Sequence, residues 1–257
     1  MTMIEVQPGQ ITPTLRALFR EDVPAGLRCF AVLAGDNAGR IWTDDLEHPT
    51  WGIVQEAAFG TLYLEGTFPD GLLTAFINQR RQYGDVLYGF WDRDDALKSH
   101  FPEPGYRRRM FEGIRTASNR RLLDYLNQIP PDCTLRPIDR DLFRCIEDYT
   151  FYSEMFGSPE RALERGFGYC LMRGDDLLCE AFAGTSFRDV IEIGVNTREA
   201  ERNKGYAKMT CAAVIQEAER RGYQTYCNCG FPNIPSLIVA QSLGWKPMKQ
   251  YRLLGWF

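Results

Sequence analysis

Asp189-Val-Ile-Glu-Ile-Gly-Val-Asn-Thr-Arg-Glu-Ala-Glu-Arg-Asn-Lys-Gly-Tyr-Ala-Lys208 reads as a strand, a short loop and the opening of a helix. Ile191, Ile193 and Val195 alternate with Glu192, Gly194 and Asn196, the period of a strand with two distinct faces. From Lys204 the period changes: Ala207, Cys211, Ile215 and Ala218 fall on one helical stripe, and Gly222 stands where a helix stops. The junction Arg202-Asn-Lys-Gly-Tyr-Ala207 therefore presents unpaired backbone N–H groups at the positive end of a helix, in a loop with few bulky side chains. That combination suits an anion.

Working outward, the helix is followed by a strand at 223–229 and by Phe231-Pro-Asn-Ile-Pro-Ser236, where Asn233 caps a second helix carrying Pro235 in its first turn. That helix closes at Leu243-Gly-Trp245, and a last strand covers 251–257. Upstream, the pattern gives a strand at 134–139, a helix at 140–149 and a helix capped by Ser158. Three strands follow at 168–172, 177–184 and 190–195. The first ten residues read as a loose lead-in. Next come a short helix at 12–19, strands at 27–33, 40–43, 51–57 and 61–65, a helix from Pro69 to Arg80, and a strand at 85–91. No stretch repeats with a fixed period. Pro130-Pro131 is the natural boundary between a part spanning 1–130 and a part spanning 131–257.

Composition narrows the function classes. The chain has 257 residues, 44% hydrophobic and 25% charged, a globular balance. A net charge of −4 gives no general attraction for nucleic acid or anionic membrane. No apolar run approaches the roughly 18 residues of a membrane span, and the expected compartment is the cytoplasm. The eight cysteines contain no Cys-x-x-Cys pair and read as reduced core thiols. His48 and His100 are the only histidines, so neither a metal site nor a histidine-based nucleophile is expected. No phosphate loop of the Gly-x-x-x-x-Gly-Lys type occurs.

Arg202, Gly205 and Ala207 match the Gln/Arg-x-x-Gly-x-Gly/Ala signature, and the junction resembles that of the GNAT superfamily of acetyltransferases. Gly39-Arg-Ile-Trp-Thr-Asp-Asp-Leu-Glu-His-Pro49 resembles the amino-terminal part of a bacterial two-part GNAT subfamily. The resemblance implies an α/β fold with a mixed, partly splayed sheet in 131–257, preceded by a smaller α/β region that shapes the acceptor site. It implies acetyl coenzyme A as cosubstrate, with no metal, and a small or peptide-like primary amine as acceptor; a homodimer is compatible with it. The phosphates would meet Arg202, Asn203, Lys204, Gly205, Tyr206 and Ala207, the pantetheine arm the backbone of Val195, and the second helix start Asn233 and Ser236. Glu192 would serve as general base and Asn228 would orient acceptor or water, although both read equally well as structural polar residues. Asp44 and Asp45 either contact a metal or an amine or simply end a strand. The arginines at 107–109, 115 and 120–121 read chiefly as a solvated face, with contact to the coenzyme's phosphates or an acidic acceptor as the alternative. Where the family usually carries a tyrosine acid this chain has Ala240; either Ser236, Cys227 or Tyr251 substitutes, or the thiolate leaves without a dedicated acid. The alternative is a noncatalytic coenzyme-binding or interaction module on the same fold.

Overall fold

A computed structural model describes residues 3–23, 25–81, 87–90, 106–115, 120–230 and 233–255. The chain divides into two compact units, one formed by 1–110 with 249–257 and the other by 111–248. Residues 111–130, assigned from the Pro130-Pro131 signal to the first part, group instead with the second unit.

The first unit starts with strand β1 (Ile4–Val6), helices α1 (Pro13–Leu18) and α2 (Gly26–Leu33), and the antiparallel strands β2 (Gly39–Thr43), β3 (Trp51–Glu56) and β4 (Thr61–Gly66). Helix α3 (Leu72–Arg81) then leads to β5 (Leu87–Phe90), parallel to β4. The expected ends of that last strand, at 85–86 and 91, lie outside the described residues. Trp42, Trp51, Ile53, Leu62, Leu73, Phe76 and Ile77 fill the core between strands and α3.

Two readings fail here for identifiable reasons. Residues 27–33, expected as a strand, are helical, because Leu-Arg-Cys-Phe-Ala-Val-Leu is buried nearly all round and such a short apolar run has no period to arbitrate. The lead-in carries β1, only three residues long, which Val6 anchors in the core.

The chain enters the second unit along β6 (Tyr106–Arg115) and continues through α4 (Arg120–Leu126) and β7 (Thr134–Pro137). Three short helices follow: α5 (Arg140–Phe143), α6 (Tyr149–Phe156) and α7 (Pro159–Arg165). The single helix expected at 140–149 is broken because the N–H of Glu147 donates to Glu180 Oε1, at 2.6 Å, rather than into a helix. The antiparallel strands β8 (Phe167–Arg173), β9 (Asp176–Phe187) and β10 (Val190–Thr197) precede α8 (Tyr206–Arg220), β11 (Gln224–Gly230), α9 (Ile234–Leu243) and β12 (Trp245–Gly255). Within this unit the strand order is β6-β11-β10-β9-β8-β7. In the first unit it is β1-β2-β3-β4-β5-β12, with β12 antiparallel to β5. The mixed α/β sheet expected for the carboxy-terminal part is therefore present, preceded by the α/β region.

Alternation decides which face each helix covers. Ile191, Ile193, Ala181, Ala183 and Cys227 face α8 and α9, packing on Cys211, Ala212, Ile215 and Leu243. The opposite face carries Phe182, stacked on Phe143 and Tyr152 with ring centroids 5.7 and 4.6 Å away. Six of the cysteines are buried, Cys229 is half-buried and Cys145 is exposed, all as free thiols. Arg115 does not belong to a solvated face: it is buried, donates to the Leu243 carbonyl at 2.9 Å and pairs with Glu219. The side chains of Arg107, Arg108, Arg109 and Arg120 lie outside the described set.

Candidate active site

The site is set by a divergence of two strands. β10 and β11 pair in parallel only at Val190↔Gln224, Ile191↔Thr225 and Glu192↔Tyr226, while β10 stays paired with β9 as far as Thr197↔Cys179. Its register with β9 shifts between Ile191 and Ile193. Such a bulge bends and twists a strand, and the pairing with β11 ends immediately afterwards. Beyond Glu192 the facing edges of β10 and β11 are open, and Val195 lies on the open stretch.

At the far end of β10 the chain makes a 3-10 turn, Glu199–Glu201, and then the loop before α8. Asn203 and Gly205 are left-handed, at φ 66° and 84°, and flank Lys204. Asn tolerates this conformation better than most residues and Gly adopts it freely. Gly205 caps α8 without a side-chain acceptor. Among the described residues the N–H groups of Asn203, Lys204, Gly205, Tyr206 and Ala207 donate to no protein acceptor. A Cβ built on Gly205 would meet nothing nearer than Met209 Cε at 3.7 Å, so the loop is an open cradle of amides at a positive helix end.

The charged side chains around the cradle are held in place. Arg202 Nε donates to the Thr197 carbonyl at 3.2 Å, and Lys204 Nζ sits 2.9 Å from Glu201. Tyr206 presents its backbone amide to the loop. Its ring is buried and its hydroxyl accepts from Arg173 at 2.9 Å, which leaves its backbone amide as the group facing the loop. Arg173 also reaches Asp132 at 2.8 Å and Glu201 at 3.9 Å. It was missed in the sequence because an arginine before a hairpin turn is an ordinary surface residue. Asn233 caps α9 by accepting from Ser236 N–H at 3.2 Å, as its position before Ile-Pro-Ser implied.

The face opposite α8 gathers the polar side chains. Glu192 and Tyr226 are register partners, Tyr226 donates to Glu112 at 2.7 Å, and Asn228 donates to Tyr226 at 3.2 Å. Glu192 and Asn228, both half-buried, thus share one face on the two diverging strands. Tyr152 from α6 adds its hydroxyl at Gly194, where any Cβ would come within 2.4 Å of it. Asp44 and Asp45 instead fix their own turn: Asp44 accepts from Thr50 N–H at 3.0 Å, and Asp45 from Glu47 and His48 N–H at 2.7 and 2.8 Å. Ala240 is buried in the core with Leu243. Of its three substitutes, Cys227 lies on the apolar face, with burial raising its thiol well above the usual range, and Tyr251 packs on Ala25 in the first unit. Ser236 remains at the first turn of α9. Among the described residues no group of three or more His, Cys, Asp or Glu side chains is arranged to hold a metal, and no helix is long and apolar enough to cross a membrane.

Comparison with known proteins places this geometry. A family model described as GNAT acetyltransferase matches residues 28–254. The uncharacterised N-acetyltransferase YdfB of Bacillus subtilis (strain 168) is 23% identical over 128 residues, 49% of each chain, so the match spans about half the length of that relative. A GCN5-related N-acetyltransferase-like protein from Streptococcus suis 89/1591 superposes with a TM-score of 0.76 at 20% identity, covering 97% of this chain and 99% of the other. A tandem GNAT protein from the clavulanic acid biosynthesis pathway superposes with a TM-score of 0.67 at 9% identity, covering 99% and 98%. At these identities the two structures share the fold.

Proposed function

Because the chain belongs to the GNAT acetyltransferase family, we propose that it transfers the acetyl group of acetyl coenzyme A to a small or peptide-like primary amine. The observation that carries the reading is the cradle at 203–207, whose amides donate to no protein acceptor among the described residues, with Arg202 beside it and the Lys204 side chain on it, following the diverging edge of β10. When bound, the coenzyme supplies an acetyl thioester open to attack by an amine nitrogen. Residues 203–207 would hold its phosphates through backbone N–H groups, with Lys204 exchanging Glu201 for phosphate. The unpaired edge of β10 around Val195 offers backbone groups to an extended arm, as an added strand would. Glu192 and Asn228 face the acceptor side, where a carboxylate steadies an ammonium group and an amide orients it.

A noncatalytic, coenzyme-binding reading has one observation in its favour, the burial of Ala240 where the family usually carries a tyrosine. One experiment separates the two. A panel of primary amines is assayed for thiol release from acetyl coenzyme A, alongside calorimetric titration of the coenzyme. Transfer predicts release with at least one amine; binding without release across the panel supports the noncatalytic reading.

A further inference from the structure

Two polar groups stand out on the face opposite α8. One is the hydroxyl of Tyr152, a residue only 5% exposed, which lies against Gly194 on the diverging strand. The other is Glu180 Oε2, buried on a residue 1% exposed and without a hydrogen-bond partner among the described residues. Glu180 pairs in register with Asn196, two residues along β10 from Gly194. Asp148 stands one helical turn before Tyr152, whose N–H donates to the Asp148 carbonyl at 2.9 Å. The line Gly194-Asn196 on β10 is thus faced by Tyr152, Asp148 and Glu180.

The environment of the carboxyl pair suits proton uptake. Burial pushes the Glu180 carboxyl up to about 7, against backbone donors at Glu147 and Asp148 and the charge of Arg198. Burial and the neighbouring Glu147 raise Asp148, while the Asn196 amide pulls the other way. The titratable and charged groups facing Glu180 are Glu147, Asp148 and Tyr152 from α6 and its lead-in, Arg198 beyond β10, and Cys170 from β8. Arg198 is engaged by Glu147 at 3.2 Å and by the Cys145 carbonyl at 2.7 Å, so it does not close on Glu180 as a fixed ion pair. Burial holds the Tyr152 phenol well above its usual range, which keeps its hydroxyl protonated.

We propose that Tyr152 and the carboxyl pair Asp148–Glu180 form the acceptor-side half of the site, the Tyr152 hydroxyl positioning the amine nitrogen and Glu180, behind Asp148, receiving its proton. The inference rests on the transfer reading and assigns to Glu192 the outer task of steadying the incoming ammonium group. The ammonium group first loses one proton to solvent; in the transfer the C–N bond then forms as the C–S bond breaks, the C–S electron pair leaves on sulfur, the second nitrogen proton passes to the carboxyl pair and on to solvent, and solvent protonates the thiolate. A base ionising near neutral pH matches the working range, and positioned proton transfer contributes roughly 100-fold or more.

The test uses the full chain, the amine giving fastest thiol release, and the variants Glu180→Gln and Tyr152→Phe. Gln keeps the oxygen that accepts from Glu147 N–H, and Phe keeps the ring packing. Coenzyme affinity by calorimetry should stay within twofold in both, showing folded protein. For the wild type, kcat/KM should rise with pH through an inflection near 7. Glu180→Gln should abolish that inflection and lower the plateau at least tenfold, while Tyr152→Phe should lower kcat at least tenfold and keep it. Independently of turnover, carbon-13 spectra of the Glu carboxyls in coenzyme-free protein should contain one signal titrating near pH 7 that Glu180→Gln removes. Thiol release whose inflection survives Glu180→Gln, or the lack of that carboxyl signal, overturns the inference and leaves the transfer reading standing. Coenzyme binding without thiol release from any amine overturns both.

Discussion

Burial raises the Glu180 carboxyl to about 7, whereas an unfolded chain ionises it near 4.5. Between those values the folded state binds the extra proton, so stability is fully present below about pH 4.5 and declines as pH rises towards 7. The decline is on the order of 3 kcal/mol. Glu180→Gln mimics the protonated form and should unfold at higher urea than wild type at pH 8, yet at equal urea at pH 4.5; parallel curves at both pH values would contradict the assignment. Gly205 carries a second prediction at this scale. Its φ of 84° strains any L side chain, and the cradle faces phosphate. Gly205→Glu should weaken acetyl coenzyme A at least tenfold, about 1.4 kcal/mol. Gly205→Ala, which has the strain without the charge, should weaken it less. Calorimetry giving equal affinities for all three proteins would remove the loop from coenzyme binding.

Arg115 ties the end of β6 to two helices, through Glu219 on α8 and the last carbonyl of α9. Arg115→Met leaves Glu219, about a quarter exposed, without that charge and the Leu243 carbonyl without that donor, so it should destabilise the protein by about 1–3 kcal/mol. Urea unfolding with a midpoint unchanged from wild type would show that the pair contributes nothing. No pattern in the sequence announced this tie, because β6 reads as a run of arginines and its pairing is non-local. By contrast β10, the loop and α8 were legible, since alternation, a Gly at a helix start and a helical stripe are all local signals. Asn233 and Gly244 marked the ends of α9 for the same reason. The acceptor face was legible only in part. Glu192 and Asn228 sit on the strands that the signature identifies, whereas Tyr152 lies on a helix with no expected counterpart and meets Gly194 only through packing. Glu180 looked like one charge in an apolar strand, and its partner Asp148 lies in the break between α5 and α6, where a continuous helix was expected.

The two units follow one plan. From β1 in one and from β7 in the other, each runs strand, helices, three antiparallel strands, helix, then a strand parallel to the third of those, β4-α3-β5 in one and β10-α8-β11 in the other. Gly71 before α3, at φ 76°, matches Gly205 before α8, at φ 84°, yet no internal repeat shows in the sequence, because a shared plan tolerates complete replacement of side chains. The loops differ where it matters: Thr67-Phe-Pro-Asp-Gly71 has no Lys or Arg and places an acid beside the helix start, while Arg202 and Lys204 flank the other. The expected stoichiometry is therefore one acetyl coenzyme A per chain, and calorimetry giving two equivalent sites would refute it. Each plan is completed by a strand from elsewhere in the chain. β12, which follows α9, pairs with β5 of the first unit, while β6, which follows β5, stands beside β11 of the second. On the ribosome the first unit therefore cannot finish its sheet when its own residues have emerged. The edge of β5 stays open through synthesis of the entire second unit, until 252–255 arrive, and an open strand edge held that long is the place where a nascent chain pairs with the wrong neighbour.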